Sequence, residues 1–211
     1  MLEVGSAPCS CREPEHAPSL VAITGGPGGG KTAVLQLAAR VFCRHVAVLP
    51  EAAGVVFGGG FPRRSSEPAR RAAQTAIFHV QRQLESLVIG ERQVAVALCD
   101  RGTLDGLAYW EGPHGEFWDQ VGSSHDVQLR RYAAVIHLQT PALHDGYNHD
   151  NPLRVESASE ARELDERIEQ VWAAHPHRLV IGSTGNFEDK ALSALQKIRA
   201  RLPSCCHRHP L

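Results

Sequence analysis

The sequence predicts an α/β fold, a three-layer sandwich in which helices cover both faces of a five-stranded parallel sheet. Three observations predict it. Five short apolar runs, residues 20–24, 45–49, 94–99, 133–139 and 177–181, alternate with stretches of helical periodicity. Strands alternating with helices build parallel sheets through right-handed crossovers. The run at 94–99 is apolar at every position rather than at every second one, as a strand buried on both faces requires. Between the first run and the first helix stands Gly25-Gly26-Pro27-Gly28-Gly29-Gly30-Lys31-Thr32, which fills every specified position of the phosphate-binding pattern G-x-x-x-x-G-K-[ST].

The elements follow in order. Residues 1–18 hold no periodic apolar pattern and read as a flexible tail before a domain at 19–202. After the glycine-rich turn a helix runs to about residue 43, and His-Val-Ala-Val-Leu at 45–49 is a short buried strand ended by Pro50 and Glu51. Residues 54–68, with Gly58-Gly59-Gly60 and Arg63-Arg64, read as a loop. A helix over 67–89 carries Ala73, Ile77, Val80, Leu84, Leu87 and Val88 as its core-facing stripe, with Gln74, Phe78, Gln81 and Glu85 on an adjoining face. The strand at 94–99 leads to a short helix over 103–109 capped by Thr103, and 111–124 reads as an irregular connection. The strand at 133–139 is followed by a loop at 140–155 and a charged helix over 157–173, so that 140–175 has the length of a small helical lid. A fifth strand, a closing helix at 187–201 and a tail at 203–211 complete the chain.

Composition narrows the function. The chain has 211 residues, enough for one domain with a sizeable core. Lys plus Arg number 22 against 23 Asp plus Glu, which gives no general attraction to nucleic acid or to an anionic membrane. Arg63, Arg64, Arg70 and Arg71 form a local basic group whose plainer reading is a solvated loop and helix start. No apolar run has the length of a membrane span. With no secretory signal and no disulfide framework among six cysteines, a reduced, cytoplasmic protein is expected. Cys43 and Cys99 read as buried thiols. A metal site joining Cys9, Cys11, Cys205, Cys206, His207 and His209 is the weaker reading of the two tails, because neither has a C-x-x-C spacing.

The chemistry gathers at the carboxyl ends of the strands, where open α/β sheets bind ligands. That rule brings Gly25–Thr32, Glu51, Asp100, Arg101, the 140–155 loop and residues 182–186 to one rim. Gly25, Gly26, Pro27, Gly28, Gly29 and Gly30 would let backbone N–H groups curl round phosphates at a helix N-terminus. Lys31 would reach the β- and γ-phosphates of ATP (or GTP), and the Thr32 hydroxyl would hold Mg²⁺. Asp100 closes an apolar strand, where such proteins place a second Mg²⁺-organising carboxylate; a simple strand-ending Asp is the alternative. Arg101 rather than Glu follows Asp100, and no N-K-x-D pattern occurs; both absences argue against a dedicated hydrolase. Gln74, Phe78 and Gln81 offer a face for an acceptor, and packing beneath the preceding loop explains them equally well. Tyr109, Trp110, Phe117 and Trp118 read as local core, and His149 as solvent-exposed.

Asp100-Arg101-Gly102 resembles the Asp-Arg or Glu-Arg signatures of nucleoside and nucleotide kinases. That resemblance implies an arginine near the acceptor or transferred phosphate. It also implies that Glu51 contacts the acceptor hydroxyl as its base, and that Arg154 and Arg162 match lid arginines, for which surface salt bridges are an equal alternative. Across residues 20–202 the chain resembles a group of AAA P-loop domains similar to the ATP-binding domain of ribosylnicotinamide kinases. The matching stretches are I-T-G-G-P-G-G-G-K-T, P-E-A-A at 50–53, C-D-R-G at 99–102 and D-N-P-L-R-V-E-S at 150–157. The resemblance implies the P-loop NTPase sandwich, with strand order 2-3-1-4-5. The function it implies is Mg²⁺-dependent ATP binding with phosphoryl transfer to a small hydroxyl acceptor, Lys31, Glu51, Asp100, Arg101 and Arg154 being the catalytic set. The alternative is an ATP- or GTP-binding switch or binding module with slow hydrolysis.

Overall fold

The computed structural model describes residues 3–141, 158–182 and 186–206. Its sheet contains β1 (Glu3–Val4), β2 (Ser19–Thr24), β3 (Val46–Leu49), β4 (Val96–Asp100), β5 (Tyr132–Leu138) and β6 (Arg178–Ile181). The spatial order is β1-β3-β4-β2-β5-β6. Every neighbouring pair from β3 to β6 is parallel. Those five strands stand in the expected order 2-3-1-4-5.

Among the described residues the sheet has six strands, not five. β1 lies in the segment expected as a tail and pairs antiparallel with β3, Glu3 opposite Val48. The pairing continues as Gly5 N–H donates to Val46 O at 2.8 Å and Ala7 N–H to Phe42 O at 3.0 Å. β3 would otherwise leave an edge of unpaired backbone groups, and two residues suffice to cover it. Both side chains of β1 are exposed, so the sequence carries no apolar alternation to announce the strand.

Alternate strand residues serve opposite faces. Val21 and Ile23 pack with Val34, Leu35 and Ala38 of α1 (Lys31–Val41) and with Ala194 and Ile198 of α7 (Phe187–Arg199). Leu20 and Ala22 pack with Phe78 and Val88 of α3 (Glu67–Glu91) and with Leu164 and Ile168 of α6 (Ala158–Val171). Continuous apolarity at β4 follows from the same cause: Val96 and Leu98 belong to one core, Ala97 and Cys99 to the other.

Local structure departs from expectation where glycine or proline obscured a helix. Ala52–Gly58 forms α2, anchored by buried Ala52 and Val56, despite the glycines inside it that lower helix propensity. His114–Val121 forms α4 within the stretch expected to be irregular; Pro113 precedes it and Gly122 ends it in the left-handed region. α5 (His125–Leu129) follows, its Ser124 cap accepting from Val127 N–H. The short helix at 105–109 is 3₁₀, and Thr103 does not cap it; its hydroxyl donates to Gln128 at 3.2 Å. On α3 the most buried residues are Ala73, Phe78, Gln81, Glu85 and Val88, whereas Leu87 is exposed. The core face is therefore turned toward the polar stripe, because Glu85 is buried by Tyr132 Oη at 2.6 Å and Arg131 Nη2 at 2.5 Å. Among the described residues no helix is long and apolar enough to cross a membrane.

Candidate active site

The loop from Gly25 to Gly30 turns between β2 and α1 against the end of β5. Gly25 has φ +129°, and a Cβ there would lie 2.2 Å from Leu138 O. Gly30 begins α1 at φ +90°. Gly25 accepts no other residue without moving the Leu138 backbone, and at Gly30 a side chain would be strained by the positive φ and would bring its Cβ within 2.7 Å of the Phe187 ring. Lys31 is buried, and its ammonium donates to Gly25 O and Gly26 O, both at 2.8 Å. Burial pushes that ammonium down from 10.5 to about 7; Arg101 adds repulsion, and Asp100, Glu51 and Asp105 oppose it.

Arg101 is the hub of the rim. It follows β4 in the left-handed region, φ 72°, a conformation that costs a side-chain-bearing residue about 1–3 kcal/mol. The turn directs its guanidinium back across the phosphate loop. Nε donates to Glu51 Oε1 at 2.7 Å, and Nη1 lies 3.4 Å from both Gly25 O and Asp105 Oδ2. Asp105 is buried, accepts from Thr24 Oγ1 at 2.7 Å and Trp172 Nε1 at 2.6 Å, and so fixes Arg101 from behind. Gly102 follows because a Cβ there would meet Trp172 at 2.6 Å. Burial lifts the Asp100 carboxyl from 3.8 to about 6, Lys31 opposing the rise.

Lys31, Thr32, Glu51, Asp100 and Arg101 border one cavity of about 750 Å³. The cavity continues from Pro27 and Gly28 to Ala73, Gln74, Ile77, Phe78 and Gln81 on α3. Thr32 and Asp100 supply a hydroxyl and a carboxylate beside the phosphate loop, the hard oxygen donors that Mg²⁺ accepts. Of the acceptor face, Phe78 packs edge-on against Phe117 and Trp118 with ring centres 5.7 and 6.4 Å away. The Gln81 amide donates to Glu85 at 2.9 Å. Trp110 and Phe117 are core, as expected. Arg63, Arg64 and Arg70 border the cavity, Arg70 paired with Glu111, and Arg71 pairs with Glu67 and Glu116. Arg162 is exposed on α6 and does not border the cavity. Arg154 and His149 lie outside the described residues.

Asp165 was not expected here. From α6 its Oδ1 accepts Gly26 N–H at 2.6 Å and His137 Nε2 at 2.8 Å, and Oδ2 accepts Thr140 N–H at 3.0 Å. One carboxylate thus ties the phosphate loop, the end of β5 and α6 together. Its signal in the sequence is an acidic residue on an apolar face, since Ala161, Asp165 and Ile168 fall at i, i+4 and i+7.

A family model for an AAA domain matches residues 20–190. The chain belongs to the AAA domain family. The match spans the sheet except β1 and the first residue of β2, and includes every rim residue described above. The chain matches none of the curated proteins compared with it. The family assignment makes this a P-loop nucleotide-binding domain, and the finer kinship with ribosylnicotinamide kinases is no part of it.

Proposed function

We propose that this AAA domain is a Mg²⁺-dependent phosphotransferase that moves the γ-phosphoryl group of ATP (or GTP) to a hydroxyl on a small acceptor. One observation carries the reading. Glu51 Oε1 is held by Arg101 Nε, whereas Glu51 Oε2 and Arg101 Nη2 carry no hydrogen bond among the described residues. Both border the cavity, between the phosphate loop and α3. A carboxylate oxygen and a guanidinium N–H placed side by side suit a hydroxyl and the phosphoryl group it attacks.

In this reading Lys31 and the loop amides bind the β- and γ-phosphates, and Thr32 with Asp100 would hold Mg²⁺, which neutralises phosphate charge when bound. Glu51 orients the acceptor hydroxyl and takes its proton as the new O–P bond forms and the bond to the β-phosphate oxygen breaks. Arg101 stabilises charge on the moving phosphoryl group. Arg154 enters only through the likeness of its surrounding sequence to kinase lids. The test is ADP release with Mg-ATP alone and then with a panel of nucleosides and other hydroxyl compounds. An acceptor should stimulate release, and Glu51→Gln should abolish the stimulation by about 10²-fold or more while ATP still binds.

A second reading, a nucleotide-dependent switch with slow hydrolysis, is favoured by Asp165. A phosphate drawing on Gly26 N–H would compete with the hydrogen bond that anchors α6. If no acceptor stimulates turnover but nucleotide changes amide exchange in α6, this reading replaces the first.

The pH dependence follows from Lys31 and Asp100 under either. Phosphate favours charged Lys31, and Mg²⁺ favours ionised Asp100. Binding of the Mg-nucleotide is expected to be tightest between about pH 6 and 7. It should weaken below that window as Asp100 takes up a proton and above it as Lys31 loses one, by up to about tenfold per pH unit. Calorimetric titration across pH checks this, and an affinity flat through two pH units on either side contradicts it.

A further inference from the structure

At the opposite rim of the sheet, before β3 rather than after it, three sulfurs surround one imidazole nitrogen. Cys43 and His45 lie in the turn between α1 and β3, Cys9 in the segment after β1, and Cys206 in the 3₁₀ turn Ser204–Cys206. His45 Nδ1 is 3.6 Å from Cys9 Sγ, 3.9 Å from Cys43 Sγ and 3.3 Å from Cys206 Sγ. Cys9 Sγ and Cys206 Sγ are 4.0 Å apart, far beyond a disulfide's length of about 2.05 Å. All four atoms lie within 4.8 Å of one another, and Cys43, His45 and Cys206 are buried. Separations of about 3.6–3.8 Å are the edges of a tetrahedron with bonds of about 2.3 Å to sulfur and 2.0–2.1 Å to nitrogen.

The Cys9 thiol bonds the Cys206 sulfur at 4.0 Å, and all three sulfurs converge on the one nitrogen of His45. One imidazole nitrogen offers a single lone pair or a single proton, so it can hydrogen-bond only one of the three sulfurs at a time. A cation at their centre satisfies all four groups at once. We propose that Cys9, Cys43, His45 and Cys206 bind a structural Zn²⁺ ion that staples the segments before β2 and after α7 to the sheet. Three thiolates and an imidazole select zinc over magnesium or calcium. With every position filled by protein, the site is closed to substrate and serves stability rather than catalysis. Cys11 N–H donates to Cys9 Sγ at 3.4 Å, the supporting contact a thiolate ligand requires. Metal on Nδ1 places the proton on Nε2, so Arg44, whose Nε lies 3.3 Å from that atom, must swing away; its side chain is exposed and free to do so. Cys11 and His16 make a neighbouring group with His45, but it supplies only three ligands.

The test uses the full chain purified under reducing conditions with zinc present. About one zinc ion per chain is expected, released by titrating the thiols with a mercurial and counted with a colorimetric chelator. Replacement by Co²⁺ should give the ligand-field and thiolate charge-transfer bands of a tetrahedral site. Cys206→Ser should lower zinc affinity at least tenfold, His45→Cys should retain the metal, and His16→Ala should leave it untouched. Nucleotide binding, measured alongside, reports whether each variant is folded. A wild-type chain that binds nucleotide without stoichiometric zinc and gives no tetrahedral Co²⁺ spectrum overturns the proposal. Equal zinc affinity in wild type and Cys206→Ser, measured by competition with a chelator, or a Cys9–Cys206 disulfide recovered from anaerobically purified protein, also overturns it.

Discussion

Lys31→Ala is expected to weaken nucleotide binding by about 10²-fold or more while raising the melting temperature of the ligand-free protein. The two effects have one cause. Lys31 is 8% exposed and holds its charge between two carbonyls, in surroundings that bring its pKa from 10.5 to about 7. The sign follows from linkage. The unfolded chain holds the proton more tightly than the folded one, so stability falls as pH drops from 10.5 toward 7 and stays low below it. The charge therefore costs the empty domain free energy on the order of several kcal/mol near neutrality. Phosphates remove that penalty, because they give the ammonium the counter-charge that Asp100 and Glu51 supply only in part. Truncating one member of a buried charge pair costs a complex about 2–5 kcal/mol, hence the loss of affinity. Calorimetry with ATP and a thermal scan of the apo-protein measure both halves. A variant that binds ATP as tightly as wild type removes Lys31 from the phosphate site. One that melts lower shows that the lysine stabilises the loop instead.

G-x-x-x-x-G-K-T could be read directly from the sequence because geometry permits few residues there: a Cβ at Gly25 or Gly29 would strike Leu138 O at 2.2 or 2.4 Å. β3 and the Val96–Cys99 part of β4 could be read because burial on both faces leaves them apolar at every position, and β6 as a short apolar run although none of its residues is fully buried. Glu51 and Asp100 could be placed because one lies just beyond β3, after Pro50, and the other closes β4. The side chains that hold the rim in shape could not. Asp105, Thr24 and Trp172 meet across 81 and 67 residues, and no local pattern encodes a contact between a strand end, a 3₁₀ turn and the turn after a distant helix. The buried face of α3 was misjudged for a related reason. Periodicity ranks Leu87 above Glu85 by hydrophobicity, but Arg131 and Tyr132 partner Glu85 and bring it inside. The four-ligand cluster was half visible: Cys9 and Cys206 stood out in the tails, whereas Cys43 and His45 looked like ordinary residues beside a strand.

Asp165→Ala is expected to destabilise the domain by about 3–5 kcal/mol, lowering its melting temperature by roughly 6–20 °C. The substitution leaves two backbone N–H groups, from Gly26 and Thr140, and the ring of His137 without the carboxylate they share. His137 is fully buried, so water cannot replace the lost partner there. Burial alone would raise the Asp165 carboxyl; the hydrogen bonds and charge of His137, with those from Thr140 and Gly26, outweigh it and hold the group below its ordinary 3.8. A carboxyl depressed by folding contributes stability that is present above the unfolded value and is lost as pH falls through the folded one. The stability gap between wild type and Asp165→Asn should therefore be constant from neutral pH down to about 4 and shrink below 3.8. Asparagine retains one acceptor oxygen but turns an N–H₂ toward a second donor, so it should recover only part of the loss seen with alanine. Urea titrations at several pH values distinguish these outcomes. If the gap stays constant through acid, the carboxylate's charge is not what binds the loop to α6. If alanine melts within about 2 °C of wild type, the three contacts do not hold the rim together, and the switch reading loses its connection between phosphate and helix.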